Sequence, residues 1–149
     1  MVSLIGNNLV VINDRIFRAT ADADYVTLDF PNDLTNIKVS KEGNTIFAMN
    51  QTGNIVIMTM RLLRGSADDI FLNSLIQSMR NDFSGFTLLT GSFTKRVGDG
   101  AGNIVNEIYT MSNGVFKKVP GGKASAEGDT EQSVAVYEIW FYNNNRAMA

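Results

Sequence analysis

The chain contains neither cysteine nor histidine. The first absence excludes disulfides and thiolate metal sites, and the second removes the commonest metal ligand and general base, so a Ser-His-Asp triad cannot be assembled. No enzyme, metal or cofactor is expected. Charged residues make up only 19% of the chain, and a net charge of −2 with a pI near 5.0 argues against a protein whose task is to grip nucleic acid. No apolar run is long enough to cross a membrane, and residues 1–12 show neither a basic n-region nor a continuous apolar core. Neither a membrane anchor nor a signal peptide is expected. That context also leaves the formal glycosylation sequon at Asn50 without meaning.

What is present fits one domain over residues 1–149, 44% hydrophobic and able to bury a core without covalent staples. Helical spacing occurs over residues 66–83, where Leu72, Leu75, Ile76, Met79 and Phe83 fall on one side of a 3.6-residue helix. Ser66 is placed to cap it, with Asp69 at the third helical position as an acidic variant of the capping box. The rest reads as strand and turn. Residues 9–12 and 16–17 suggest a first hairpin about Asn13-Asp14, and 25–30 alternates until Pro31. Residues 34–41 and 45–50 form a second hairpin about Glu42-Gly43-Asn44, and 51–54 turns into the apolar run 55–63.

After the helix, 86–93 reads as a strand whose Gly91 marks a bulge or a close backbone approach. Residues 95–103 read as a glycine-rich loop, 104–111 and 115–119 as a hairpin turned by Ser112-Asn113-Gly114, and 123–132 as a loop. Residues 133–142 alternate as the last strand, and 143–149 read as an exposed tail. Runs 55–63 and 134–142 are apolar on both faces, more than one helix can cover, so Ile57 and Trp140 are expected in a core or an assembly contact. Self-assembly follows as an expectation.

Motif chemistry is sparse. The run 98–103 has the glycines of a phosphate cradle, but a strand follows where a helix should open, so a connection is the better reading. Asp22 with Asp24 and Asp99 with Glu107 fall short of the six to eight oxygens that calcium takes. Lys95-Arg96 and Lys117-Lys118 read as a solvated rim.

In its order of elements, and most closely in 85–95 and in 106–118, NEIYTMSNGVFKK, the chain resembles the inner tube proteins of bacteriophage tails, especially contractile tails and related prophages. Such proteins are similar in fold to the Hcp tube protein of type VI secretion and to the tail tubes of phage-derived bacteriocins. The resemblance implies a mainly β fold, an antiparallel β-sandwich or partly closed barrel with a flanking helix. It also implies hexameric rings stacked into a tube, through whose lumen DNA passes without specific binding, and tail sheath, tape-measure and baseplate or initiator proteins as partners. The location implied is the virion tail, assembled in the host cytoplasm. The family's ring-stacking arm would fall within 95–132, on Lys95, Arg96, Gly98, Asp99, Gly100, Gly102, Lys117 and Lys118. Lumen candidates are Asn36, Lys38, Ser40, Thr45 and Asn50. Two alternatives stand beside the phage tube: an Hcp-like ring or tube of a secretion or bacteriocin particle, and a stand-alone β-sandwich binding module.

Overall fold

The computed structural model describes residues 3–17, 26–98, 100–121 and 134–148. The elements run β1 (Ser3–Ile12), β2 (Arg15–Ile16), β3 (Val26–Asp29), β4 (Thr35–Val39), β5 (Thr45–Met49), a 3₁₀ turn (Gln51–Asn54), β6 (Val56–Leu63), α1 (Ala67–Asn81), β7 (Leu89–Gly98), β8 (Ile104–Lys118) and β9 (Val134–Met148). The fold is mainly β, with α1 the one α-helix among the described residues. Expectations placed on residues 18–25, Asp22 and Asp24 among them, and on 99, 122–133 and 149 lie outside that set.

Seven strands form one antiparallel sheet in the order β2-β1-β7-β8-β9-β6-β3, and β4 and β5 pair separately. The sheet curls without closing into a barrel. Phe30, just past β3, lies with its ring 6.5 Å from that of Tyr109 on β8, three strands away and thus about 14 Å off in a flat sheet. Curling gathers the inward residues of the sheet: Val56, Met58, Met60 and Leu62 alternate along β6 opposite Phe141, Ile139, Tyr137 and Ala135 of β9. Val10, Ile12, Leu89, Met111 and Phe116 extend the layer, and Leu72 and Ile76 of α1 close it, with Leu75 and Met79 packed beside them.

The helix starts as its cap requires. The Ser66 hydroxyl accepts from the Asp69 amide at 3.2 Å, but the carboxylate of Asp69 takes the Gly65 amide at 2.8 Å rather than that of Ser66, which turns to the Leu63 carbonyl. The reciprocal half of the capping box is thus displaced by one residue. Phe83 is 68% exposed, because α1 stops at Asn81 and the stripe stops with it. The Asp82 carboxylate ends the helix by accepting from Ser84 and from the Gly85 amide.

Three expectations on local structure are corrected. Residues 112–114 do not turn: Asn113 takes a left-handed φ of 57°, and β8 runs straight through as a bulge, with two residues facing one of β7. Residues 95–98, expected in a loop, belong to β7, which is shifted later than the expected strand 86–93 because Thr90 pairs with Asn13 and starts the ladder there. Residues 143–148, exposed except for the half-buried Asn144, extend β9 alongside Glu107–Ser112. Gly91 does mark both a register shift and a close approach, since a Cβ there would meet the Phe141 ring at 3.1 Å.

The two-faced apolar runs also resolve into alternation. Ile57 and Trp140 are cross-strand partners on the face opposite the core, each half-buried. Neither is a core residue, because α1 and the curl cover only the inner face.

Candidate assembly surface

The strongest surface feature is the hairpin β4–β5. Its register pairs Thr35 with Met49, Ile37 with Phe47 and Val39 with Thr45, so these six share one face. Asn36 with Ala48 and Lys38 with Ile46 share the other. Ile37, Val39, Phe47 and Met49 are 61–71% exposed. At the tip, the Ser40 amide donates to the Asn44 carbonyl, the Asn44 amide to the Ser40 hydroxyl, and Gly43 supplies the positive φ of 85° that closes the turn. One face of a projecting ribbon is therefore apolar and without cover among the described residues. Of the lumen candidates, Asn36 and Lys38 lie on the mixed face with Ala48 and the exposed Ile46, Ser40 lies at the tip, Thr45 lies on the apolar face beside Val39, and Asn50 sits at the base.

The base is tightly tied. The Asn50 amide donates to the Leu34 carbonyl at 2.7 Å, its side-chain amide donates to the Asp33 carbonyl at 3.1 Å, and its side-chain oxygen accepts from Asn36 at 3.1 Å. Asn32 donates to the Thr52 carbonyl at 3.3 Å, the Gly53 amide donates to the Asn50 carbonyl at 3.1 Å, and Asn144 of β9 donates to the Asn54 carbonyl. Sequence reading placed the hairpin but missed this base, whose asparagines have no spacing signal of their own.

The residues expected on an arm are spread along the large sheet. Lys95 and Arg96 face Glu107 and Asn106 across the β7–β8 ladder, and Gly98 ends β7 opposite Ile104. Gly100 and Gly102 fall in the connection, with φ of 81° and 89°, and Asp99 lies outside the described residues. Lys117 and Lys118 end β8. The Lys117 ammonium sits 5.0 Å from the Trp140 ring, and Lys118 is 3.9 Å from the Glu138 carboxylate, which also accepts from the Trp140 indole at 2.8 Å.

Glu107, considered with Asp99 as a cation pair, is engaged otherwise. Its carboxylate accepts from the Tyr109 hydroxyl at 2.6 Å and from Arg146 at 2.9 Å, and these bonds hold it below the usual carboxylate range. Burial and the same bond push Tyr109 up. Among the described residues no cluster of acidic side chains could hold a metal. A groove of about 490 Å³ at the C-terminal end of α1, lined by residues including Leu75, Ser78 and Phe86, offers Asp82 as its one titratable group. No described helix is long and apolar enough to cross a membrane.

Neither a family model nor a curated protein matches the chain. Solved structures do. A chain in the extended-state sheath/tube terminator of the PVC extracellular contractile injection system is similar over 97% of this chain and 94% of its own, with 18% identity and a TM-score of 0.58. A chain in the extended-state sheath-tube complex of the same system is similar over 95% of this chain and 87% of its own, with 15% identity and a TM-score of 0.54. These likenesses show a fold shared with a component of a contractile sheath-tube assembly.

Proposed function

We propose that the chain is a structural subunit of a phage-tail-type particle, an inner tube protein whose copies join into hexameric rings and whose rings stack round a conduit. The observation that carries this reading is the hairpin β4–β5, a projecting ribbon with four large apolar side chains on one exposed face, attached to a tube-like fold. Monomeric surfaces rarely leave such a patch uncovered, and a second copy is the partner a repeating tube supplies. On this reading the hairpin makes contact between copies, a role its uncovered apolar face supports better than lining a conduit does. Residues 95–98 and 104–118 then serve as sheet rather than as an arm.

In the phage version, DNA leaves through the lumen, the net charge of −2 favours passage over binding, and the subunit is built with sheath, tape-measure and baseplate proteins in the host cytoplasm. The second version is the tube of a contractile injection or bacteriocin particle without DNA, favoured by the fact that the two solved structures named above come from an extracellular contractile injection system.

The test replaces Ile37 and Phe47 together by serine. Assembly measured by light scattering and sedimentation should fall at least tenfold while the melting temperature of the single copy holds, because exposed substitutions shift stability by only about 0.5 kcal/mol. Undiminished assembly in that variant would remove the hairpin from the contact.

A further inference from the structure

The direction of the hairpin is set at its base, and one residue there is glycine for a steric reason. A Cβ on Gly53 would lie 2.7 Å from the Leu34 Cα, 3.0 Å from the Asp33 carbonyl oxygen and 3.2 Å from a Leu34 methyl. The first two neighbours are backbone, which cannot swing aside as the end of a side chain can. Both chain crossings between body and hairpin meet at this point: Asp33 and Leu34 lead into β4, and Asn50 and the 3₁₀ turn lead out of β5. Asn50 binds the incoming crossing through its amide and its side chain, and Asn144 fixes the turn to β9.

We propose that Gly53 and Asn50 form a rigid neck that aims the hairpin, with Gly53 as the positioning residue for contact between copies. The inference rests on the reading of β4–β5 as the contact element. Its energetic logic is pre-organisation: a ribbon already held in its docking direction loses little freedom on assembly, whereas a swinging one would. Leverage makes the base sensitive. A five-residue strand is about 17 Å long, so each tilt of about 10° at the neck carries the tip about 3 Å from its mark.

The absence of cysteine makes the test direct. Glu42→Cys at the hairpin tip and Gln77→Cys on the exposed side of α1 accept two spin labels and no others, and pulsed electron resonance on the monomeric fraction then reads the distance between them. The parent pair should give one narrow distribution. Gly53→Ala should move its mean by several ångströms, and Asn50→Ala, which adds no bulk, should broaden it, with melting temperatures within a few degrees of the parent. Both variants, made without labels, should assemble at least tenfold less well.

An unchanged distribution in Gly53→Ala overturns the neck. A shifted distribution with undiminished assembly overturns its role in contact between copies. A parent chain that never assembles defeats the tube reading instead, and the distance measurement stands apart from that outcome.

Discussion

Tyr137 joins the two layers of the fold through one hydroxyl. Buried under α1, it donates to the Asp69 carboxylate, whose other oxygen holds the Gly65 amide ahead of the helix. Burial, and then that bond, raise its pKa far above that of a free tyrosine. Tyr137→Phe keeps the shape and loses a bond to a charged group, which should lower unfolding stability by about 2 kcal/mol in urea titrations. Glu107 gives the pH test. Its carboxyl is depressed in the fold by Tyr109 and Arg146, so its contribution is full above the unfolded value of about 4.3 and is lost as pH falls through the folded value. Glu107→Gln should therefore lower the urea midpoint at pH about 7 and match the parent once pH is well below 4. Of these residues, the sequence shows only the helix side. Ser66 and Asp69 are legible because capping depends on neighbours three positions apart, whereas Tyr137 and Glu107 find partners through sheet register, which no local pattern encodes.

Elements were legible where a period ran without competition. The stripe of Leu72, Leu75, Ile76 and Met79 located α1, and alternation about Glu42-Gly43-Asn44 located β4–β5. Reading failed where one signal had two uses. Ser112-Asn113-Gly114 does carry a positive φ, but at Asn113 it makes a bulge, because Gly114 lies beneath the Phe141 ring and β9 holds the strand along both sides of the irregularity. Trp140 and Ile57 looked buried because both faces of their strands are apolar, and composition cannot tell a covered face from one awaiting cover. At this scale the hairpin is the element that separates folding from assembly. On the proposed reading the Ile37 and Phe47 double serine variant should melt as the parent does and fail to assemble, since these two exposed side chains meet each other across the ribbon and have no cover from the body of the fold among the described residues.

At the scale of the molecule, the described residues form an open, curled sheet with a ribbon projecting from it. Among the described residues the outer strands β2 and β3 have one unpaired edge each and the ribbon an uncovered apolar face, and both features support the proposed repeating contact. Fold likeness alone does not fix such a role, and the exposed face of β4–β5 is the observation on which the proposed task rests. The most direct test is negative-stain electron microscopy of the purified chain across a concentration series, beside the Ile37 and Phe47 double serine variant. Rings or hollow tubes of uniform diameter in the parent, absent from the variant, are the expected result. A parent that stays monomeric at every concentration, or a variant that builds the same tubes, would contradict it.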